Sequence, residues 1–589
     1  MSTSSSTHLT ILYATETGNA QEYADRVARR CRGLGLQGRV FSMDKYPLTD
    51  LVSEHLIVFV VATAGTGKEP RTMAQLWRML LRSDLPSDLL DHLQYAVFGL
   101  GDSAYDKFCW PAKRLSRRLD SLSAVEIILR GEGDSQHALG TDGTFDPWLD
   151  SLANQLATLY SIPQNSSPAE NILPPPRVSL TDASVEDLRS AHNPILVDPD
   201  YHTFTLTANE RITSSDWYQD VRHLEFRTED DIIYDPGDIA VIRPEASELD
   251  VEAFLMLMGW ANTMDDPFNI THVFPDQSLP DYLPTISTLR QVFTRYLDFN
   301  AVPKRSFFKT LLHFTSDARE RERLDEFVSA EGAEDLYDYT LRVRRSVREV
   351  LEEFRNVKIP KDYIFDVFPP LRPREFSIAS SSKRHPNEVH ICAGIVQYRT
   401  KLKIPRRGVG TTYLAVLQLG HQLRIGITKG LLTLPKDTLT PVVCIGPGTG
   451  IAPMRALLEQ RILRGAQNNT LYFGCRSADK DQHYRTQWEE YAVRGELTYR
   501  VACSRDGPAG AKRIYVQALM EQDAPRLWQL IWEKNACVYI SGSSNKMPAG
   551  VRRSLEYVAR QEGNMGEDEA QAYVANMERE GRLMEECWS

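Results

Sequence analysis

The sequence predicts a multidomain protein of the α/β and β classes, with a doubly wound α/β domain, an antiparallel barrel carrying a helical insertion, and a second α/β domain. Three observations support this. Residues 8–155 alternate buried-strand and helical patterns, which is typical of a parallel sheet covered by helices. Short alternating runs bounded by turn residues begin near Tyr201, which favours antiparallel strands. From Thr440 a buried strand, a glycine-rich turn and a helix return.

Composition excludes several classes of protein. A length of 589 residues suggests about three or four domains. A hydrophobic content of 42% and a charged content of 25% are those of an ordinary folded chain. The net charge of −11 argues against nucleic-acid binding as the main role.

The cysteines and the N-terminal segment indicate a soluble protein of the cytoplasm. None of the eight cysteines forms a CxxC pair, so neither a metal site nor a disulfide framework is expected. Free thiols fit a reducing compartment. The first eight residues lack the features of a signal peptide, and the apolar run 56–62 is too short to cross a bilayer, so no membrane anchor is expected.

The first strand pattern, residues 9–14, leads into a threonine-rich loop and then a helical pattern to about Gly33. Free N–H groups at a helix N-terminus, with threonine hydroxyls, suit a phosphate. An ordinary threonine-rich helix cap is the alternative. The loop is not a Walker loop, because no Gly-Lys-Ser/Thr sequence ends it. Its candidate residues are Thr15, Glu16, Thr17, Gly18, Asn19 and Ala20.

Two further strand patterns, 56–63 and 95–98, are each followed by a glycine-containing loop. In a parallel sheet all three loops lie at the carboxyl edge, where ligands bind. The candidates here are Ala62, Thr63, Ala64, Gly65, Thr66, Gly67, Leu100, Gly101, Asp102 and Tyr105.

The three loops, in this order, resemble those of flavodoxin-like FMN-binding domains over about residues 8–155. The resemblance implies that the first loop binds the FMN phosphate and that the other two flank the isoalloxazine ring. Tyr105 matches an aromatic residue that stacks on the ring. Ala64 stands where many relatives carry a second aromatic residue. The FMN domain is accordingly assigned to residues 1–155.

Residues 156–195 separate the first domain from the barrel and are rich in Pro, Ser and Asn. They are interpreted as a mobile linker, with an ordered wrap along a domain surface as the alternative. The barrel is assigned to residues 196–435. Helical spacing and many charges within about 247–355 predict an insertion that spaces and orients the domains.

Arg374, Phe376 and Ser377 enter a strand of the barrel, and a glycine-bordered helix start follows. An arginine fork suits a pyrophosphate, an aromatic ring suits a flat cofactor, and a serine hydroxyl can reach a ring nitrogen. A strand edge with a salt-bridged arginine is the alternative. The helix-start residues Gly408, Val409, Gly410 and Thr411 suit a second phosphate contact.

Together these motifs resemble the FAD domain of the ferredoxin–NADP reductase family. The resemblance implies that Arg374 contacts phosphate, that Phe376 packs on the flavin and that Ser377 lies by flavin N5. Relatives commonly carry Tyr at the position of Phe376. The Gly-Val-x-Thr segment from Gly408 to Thr411 matches the one that binds the FAD pyrophosphate.

Residues 436–589 resemble the NADPH domain of the same family, starting with the ten-residue string from Gly446 to Arg455 that contains Thr449 and Gly450. A glycine-rich turn before a helix lets the backbone approach a pyrophosphate. Two arginines and two hydroxyls suit the 2′-phosphate of NADPH, whereas solvated surface arginines are the alternative. The residues that match the 2′-phosphate site are Ser504, Arg505, Arg513 and Tyr515.

The C-terminal tail matches the acidic-x-Trp-x ending of diflavin reductases. A penultimate tryptophan usually lies in a loose tail, but the family resemblance implies that Trp588 covers the FAD ring and swings away for nicotinamide. Glu586 stands where Asp is usual, and Ser541 stands where many relatives carry a cysteine near the nicotinamide. The candidate catalytic residues are therefore Ser377, Ser541, Glu586 and Trp588.

The fusion of these modules resembles a diflavin reductase, which implies FMN, FAD and NADPH as cofactors and a redox protein as acceptor. Among such reductases the short, anchorless chain most resembles the cytosolic enzymes that reduce an anamorsin-type iron–sulfur protein in iron–sulfur cluster assembly. A soluble reductase for P450-like haem proteins is the second hypothesis. A flavin-bound interaction scaffold with weak catalysis is the third.

Overall fold

The computed structural model describes residues 8–65, 67–105, 107–162, 173–401, 403–508, 510 and 512–588. Its chain divides into two compact units. The first comprises the described residues within 1–193, 246–372 and 400–402, and the second comprises those within 194–245, 373–399 and 403–589. Every helix in the described ranges is too short or too polar to span a bilayer.

The first unit contains a parallel sheet of six strands in the order β2-β1-β3-β4-β5, with β6 beside β4. Successive residues of β1 face opposite layers, so that Leu9 and Ile11 join one apolar core and Leu12 and Ala14 join the other. The predicted doubly wound α/β domain is thereby confirmed. Its elements are β1 (His8–Ala14), α1 (Asn19–Gly33), β2 (Gln37–Ser42), β3 (Leu56–Ala62), α2 (Ala74–Leu80), β4 (Gln94–Gly101), α3 (Trp110–Asp120), β5 (Val125–Glu126), β6 (Gly131–Asp134) and α4 (Asp142–Leu159).

Part of the segment interpreted as a linker or wrap is ordered. It forms β7 (Val178–Asp182) and α5 (Val185–Ser190), and β7 pairs antiparallel with a strand of the insertion. The choice between a mobile linker and an ordered wrap for the whole segment stays a prediction. Residues 163–172 of the same segment lie outside the described part of the chain.

The insertion packs its own apolar core and carries two strands besides its helices. The helical prediction is therefore confirmed, and the sheet β12-β11-β7 is an addition to it. The elements are α6 (Glu248–Leu257), β11 (Phe268–His272), β12 (Ile286–Ser287), α7 (Leu289–Arg295), α8 (Arg305–Leu311), α9 (Ala318–Val328), α10 (Ala333–Tyr339), α11 (Val347–Glu353) and α12 (Ile364–Val367).

Within the first unit, polar bonds fasten helix α1 to the insertion. Arg32 pairs with Asp276 at 2.5 Å. Asp25 accepts hydrogen bonds from the backbone N–H and the hydroxyl of Ser278, at 3.1 and 2.7 Å. Because the Asp25 carboxylate is buried, these hydrogen bonds are needed to offset the free-energy cost of removing it from water. The insertion is thus placed against the helix that begins at the first candidate loop.

The second unit contains the antiparallel barrel sheet, in the order β13-β10-β17-β8-β9-β14, and a hairpin of β15 and β16. Its inward residues form one apolar core. The elements are β8 (Tyr201–Arg211), β9 (Val221–Arg227), β10 (Ile239–Ile242), β13 (Arg374–Ser377), β14 (Glu388–Gly394), β15 (Gln397–Arg399), β16 (Pro405–Arg407), α13 (Val409–Val416) and β17 (Gln422–Thr428).

The same unit ends in a parallel sheet ordered β20-β19-β18-β21-β22, covered by helices on both faces. The second predicted α/β domain is confirmed. The elements are β18 (Val442–Ile445), α14 (Ile451–Leu463), β19 (Asn469–Cys475), α15 (Ala478–Asp481), α16 (Arg485–Val493), β20 (Thr498–Cys503), α17 (Val516–Gln522), α18 (Ala524–Trp528), β21 (Cys537–Ser543), α19 (Lys546–Gly563), α20 (Glu567–Arg579) and β22 (Leu583–Trp588).

Candidate functional site

The first candidate loop, Thr15 to Gly18, turns tightly between β1 and α1. Gly18 caps α1 with φ +88°, a left-handed conformation that glycine adopts without strain. Its N–H donates to the Thr15 hydroxyl at 2.9 Å, and the Thr15 N–H donates to the Thr72 hydroxyl at 2.9 Å. The loop therefore presents the unpaired N–H groups of a 15-residue helix at the carboxyl edge of the sheet, where an anion can bind.

Glu16 and Asn19 are occupied by neighbours in the first unit. The Glu16 carboxylate accepts from the backbone N–H and the guanidinium of Arg71, at 2.6 and 3.2 Å. The Asn19 side-chain oxygen accepts from Lys304 at 3.0 Å. Thr17 is exposed beside them and Ala20 is buried in the first turn of α1. The contact between Glu16 and Arg71 fixes the position of the loop. The unpaired backbone N–H groups at the start of α1 stay available to an anion.

The second and third loops meet at the same edge. Ala62 ends β3, and the Thr63 hydroxyl donates to the Leu100 carbonyl at 2.8 Å. The Lys107 side chain packs on Gly67, where any side chain would overlap it. The loops also bring Ala64, Gly65, Gly101, Asp102 and Tyr105 to this edge, and the Tyr105 ring is 41% exposed. Thr66 lies outside the described residues.

Arg372 is a residue that the sequence motifs did not identify. A methyl group added at Gly18 would lie 2.5 Å from its Nη2, so the guanidinium rests on the first loop. Burial and nearby carboxylates raise the pKa of the Tyr13 phenol on β1, and the Arg372 charge opposes that rise. A positive charge therefore stands beside the N-terminus of α1. Its only signal in sequence was its place just before the Arg374 motif.

In the second unit, Arg374 meets the glycine-rich start of α13. A methyl group at Gly410 would lie 2.6 Å from the Arg374 Cγ, so the absence of a side chain makes room for the arginine stem. The Thr411 hydroxyl accepts from the Val396 N–H at 3.0 Å and so pins the turn. Gly408 caps α13 and Val409 is its first residue. The Arg374 motif and the glycine-rich start of α13, which are 34 residues apart in sequence, thus lie together. They combine a positive charge with the free backbone N–H groups of a helix N-terminus.

Ser377 and Glu586 are hydrogen-bonded, the serine hydroxyl donating to the carboxylate. Ser541 lies opposite Glu586 in the pairing of β21 with β22, and its buried hydroxyl has no hydrogen-bond partner within the described residues. Phe376 lies beside Ser377, paired with Ala240 and half-buried against the barrel core. Three of the four candidate catalytic residues therefore converge.

Trp588, the fourth, is not in a loose tail. It is the last residue of β22, lies opposite Ser543, and its carbonyl accepts from the Ser544 N–H at 2.8 Å. Its ring is 40% exposed. The strand thus fixes the backbone of Trp588 two residues beyond Glu586 and leaves part of the indole exposed.

The loop after β18 approaches β21 closely. A side chain on Gly450 would overlap the Ser541 carbonyl, so glycine is required for the contact. Thr449 is half-buried, and a methyl group added at Gly394 of β14 would lie 3.4 Å from its Cγ2. The helix α14 begins directly afterwards, which gives a second glycine-lined helix N-terminus at the carboxyl edge of a parallel sheet.

Ser504 and Arg505 directly follow β20, and Arg513 and Tyr515 end the same connection before α17. All four lie at the carboxyl edge, and the last three are exposed. Tyr218, which no motif indicated, lies beside them: its ring centroid is 5.8 Å from the Arg505 guanidinium carbon and 5.3 Å from that of Arg476. The edge is cationic and carries a flat aromatic surface.

Two overlapping sets of histidines and carboxylates could by geometry hold an ion, although no metal was expected. They are His223, Glu225 and His390, and His385, Glu388 and His390. Arg455 Nη1 lies 3.3 Å from His390 Nδ1, which disfavours a cation there. Burial and the Arg455 charge lower the pKa of His390 to about 4, so that a neutral imidazole serves as a hydrogen-bonding link between β14 and α14.

Three family models match the chain in order. The flavodoxin model matches residues 11–148, the FAD binding domain model matches residues 198–413, and the oxidoreductase NAD-binding domain model matches residues 444–553. Each match covers one group of candidate residues described above. The donors at the three glycine-containing starts of α1, α13 and α14, the cationic edges and the buried Ser541 hydroxyl fit the phosphates and flavins of such domains.

Curated relatives are similar over nearly their whole length. NADPH-dependent diflavin oxidoreductase 1 of Xenopus laevis is 38% identical over 99% of both chains. The protein of the same name from Danio rerio is 38% identical over 98% of this chain and 99% of the relative. That of Schizosaccharomyces pombe is 35% identical over 99% of both. The chain belongs to the family of NADPH-dependent diflavin oxidoreductases, which use FMN, FAD and NADPH to transfer electrons to a redox protein acceptor.

Proposed function

We propose that this oxidoreductase passes electrons from NADPH to an anamorsin-type iron–sulfur protein in cytosolic iron–sulfur cluster assembly. The observation that supports the proposal is similarity over 98–99% of the chain to proteins named NADPH-dependent diflavin oxidoreductase 1, together with the order of the flavodoxin, FAD-binding and NAD-binding modules in this chain. The resemblance of the sequence to the anamorsin-reducing enzymes supplies the partner. A cytosolic location is part of the proposal.

The proposal gives each group of side chains a binding role. The loop from Thr15 to Ala20 holds the FMN phosphate, and Tyr105 lies against the FMN ring. Arg374 and the α13 start hold the FAD pyrophosphate, while Ser377, with Glu586 and Ser541, orders the polar surroundings of the FAD ring. The bound flavins would supply the redox chemistry, namely two-electron acceptance from NADPH at FAD and single-electron delivery at FMN.

The direct test is anaerobic reconstitution with purified components. The holoprotein, NADPH and an anamorsin-type [2Fe–2S] protein are mixed, and cluster reduction is followed by visible absorbance. Rapid reduction, with a cytochrome P450-type haem protein reduced far more slowly, is the expected result. Preference for the haem protein would favour the P450-like reductase instead. A purified protein that retains neither flavin would favour the scaffold hypothesis.

We further propose that the acceptor docks at the FMN edge, around residues 65–70 and 102–107. The first 155 residues carry 16 Lys and Arg against 19 Asp and Glu. Their net charge of −3 makes this part of the chain only mildly acidic. Reversing charge in Lys68→Glu/Lys107→Glu is expected to slow electron delivery to the acceptor by about three- to tenfold at low salt, because rim charges act mainly on association. Stopped-flow rates at two ionic strengths measure this.

The control for the docking test is Arg82→Glu. Arg82 lies between α2 and β4, at the amino edge of the same sheet, and pairs with Asp84 at the surface. This variant is expected to keep the wild-type acceptor rate. NADPH-to-ferricyanide turnover should be unchanged in both. If Lys68→Glu/Lys107→Glu lowers ferricyanide and acceptor rates equally, the docking proposal is wrong.

Arg372 is proposed to pair with the FMN phosphate, because its guanidinium rests on the phosphate loop at Gly18. Arg372→Ala is expected to weaken FMN binding by about tenfold or more, since a hydrogen bond to a charged group contributes roughly 1.5–3 kcal/mol. Riboflavin has no phosphate, so its affinity should be unchanged. Flavin-fluorescence titration of the apoprotein with each ligand measures the difference.

A matched variant for this titration is Arg290→Ala. Arg290 lies in the insertion of the same unit, away from the first loop, and its guanidinium pairs with Asp265 at 2.7 Å. It is expected to bind both flavins as the wild type does. Equal weakening of FMN and riboflavin by Arg372→Ala would instead assign Arg372 a purely structural role.

A further inference from the structure

Two cysteines lie side by side at the ends of neighbouring strands in the second unit. Cys475 ends β19, Cys503 ends β20, and the two are direct partners in the parallel pairing. Their sulfur atoms are 3.6 Å apart. Neighbouring strands are about 4.8 Å apart, which is within the range of Cα separations that a disulfide bridges. The backbone therefore already holds the two residues at bonding range.

The two thiols differ in access. Cys475 is 8% exposed, whereas Cys503 is half-buried. Burial raises the pKa of both thiols, and the carboxylates of Asp481 and Asp506 add to the effect. Because the thiolate is the reactive form, the dithiol is the resting state and oxidation is slow without a strong oxidant.

The pair is coupled directly to the proposed 2′-phosphate site. The Ser504 N–H and hydroxyl both donate to the Cys475 carbonyl, at 3.0 and 3.2 Å. The Arg505 N–H donates to the Arg476 carbonyl at 2.8 Å. Any shift of the strand ends therefore moves Ser504 and Arg505 with them.

We propose that Cys475 and Cys503 form a reversible disulfide that lowers the affinity of the enzyme for NADPH. The effect rests on the proposed role of Ser504 and Arg505 in holding the 2′-phosphate. Bonding requires the sulfurs to approach from 3.6 Å to about 2.05 Å. Because the backbone is already at bonding range, the two cysteine side chains rotate to close this gap, and the strand ends and the loop that carries the phosphate donors adjust to the new side-chain geometry.

Hydrogen peroxide is the oxidant in this proposal. The Cys503 thiol, the more open of the two, is oxidised first to a sulfenic acid and releases one water. The Cys475 sulfur then attacks the Cys503 sulfur, the S–S bond forms, and a second water leaves. Two thiols lose two electrons and two protons in total, and one peroxide is reduced to two waters. A dithiol reductant reverses the change.

The first test asks whether the bond forms. The full-length holoprotein is treated with peroxide, desalted, alkylated without reduction, and digested for mass spectrometry. A crosslinked peptide containing Cys475 and Cys503, which disappears after dithiothreitol, is expected. The nucleotide fragment 2′,5′-ADP is expected to slow its formation, because it covers the loop without supplying electrons. If both cysteines are recovered alkylated, the disulfide is refuted.

The second test asks whether the bond acts on NADPH. Oxidation is expected to raise KM for NADPH at least about tenfold, because displacements near 1 Å in a binding site have effects of that order or larger. KM for NADH should change little, and dithiothreitol should restore the NADPH value. Cys503→Ser and Cys475→Ser should each abolish the peroxide effect, whereas Cys587→Ser, which removes another half-buried thiol, should keep it.

The outcomes separate this proposal from the 2′-phosphate assignment on which it rests. A disulfide that leaves KM for NADPH unchanged refutes the switch, whatever the role of Arg505. A disulfide that raises KM for NADPH and NADH equally supports a switch but contradicts its route through the 2′-phosphate. Should either serine variant fail to fold, the 2′,5′-ADP protection of the wild-type cysteines still decides whether the pair lies at the nucleotide site.

Discussion

Replacing Arg505 and Arg513 together by alanine is expected to lower kcat/KM for NADPH by roughly 10²- to 10⁴-fold, because each charge-assisted bond to a phosphate contributes about 1.5–3 kcal/mol. NADH lacks the 2′-phosphate, so its kcat/KM should change by less than about threefold. Both arginines are exposed on the connection between β20 and α17, and within the described residues neither forms an ion pair with a carboxylate. They are therefore available to a dianionic ligand.

The measurement is steady-state reduction of ferricyanide with each nucleotide in turn. Arg500→Ala is a suitable control, because Arg500 lies on β20 but pairs with Asp523 at 2.9 Å. It should leave the ratio of NADPH to NADH efficiency at the wild-type value. If the double variant loses both nucleotides equally, the two arginines support the fold of the domain and do not select the phosphate.

Much of the fold followed from local patterns. The buried strands ending at Ala14, Ala62 and Gly101, each followed by a loop with glycine, predicted a parallel sheet with its loops at one edge. The sheet order then brings those loops together, because carboxyl ends of parallel strands share an edge. In the second unit, Arg374 and Gly410 meet as their motifs implied.

Contacts between segments far apart in sequence could not be predicted in this way. Pairing of β7 with β11 joins residues nearly 90 positions apart, and neither strand has a pattern that specifies the other. The approach of Arg372 to Gly18 depends on how the insertion packs on α1. Tyr218 precedes β9 in an ordinary turn, so its place beside Arg505 had no signal of its own.

The C-terminal strand shows why a polar tail can be misread. Two glutamates in succession suggest a solvated end, yet Glu585 and Glu586 are both buried. Arg552 donates to Glu585 at 2.6 Å, and Ser377 donates to Glu586. Each carboxylate thus exchanges water for a specific donor, which a composition-based prediction cannot foresee. The strand therefore positions the indole of Trp588 with more precision than a loose tail would.

Removing that indole is expected to have the second large effect. In Trp588→Ala, kcat/KM for NADH should rise by roughly ten- to a hundredfold, because stacking of a flat ring on an aromatic side chain contributes about 1–3 kcal/mol that nicotinamide must otherwise displace. NADPH gains less, since its 2′-phosphate contacts already help to drive the displacement. Steady-state kinetics with both nucleotides, at matched flavin content, measure the change.

Trp588→Phe separates stacking from a structural role. A phenyl ring keeps an aromatic face of smaller area, so the gain with NADH should be smaller than in Trp588→Ala. Because Trp588 is held by backbone pairing of β22 with β21, neither change removes a ladder hydrogen bond, and the melting temperatures should stay close to that of the wild type. A rise in NADH efficiency without loss of stability requires that the indole compete with nicotinamide. Unchanged NADH efficiency in a stable Trp588→Ala protein would mean that the exposed ring stands away from the nucleotide path.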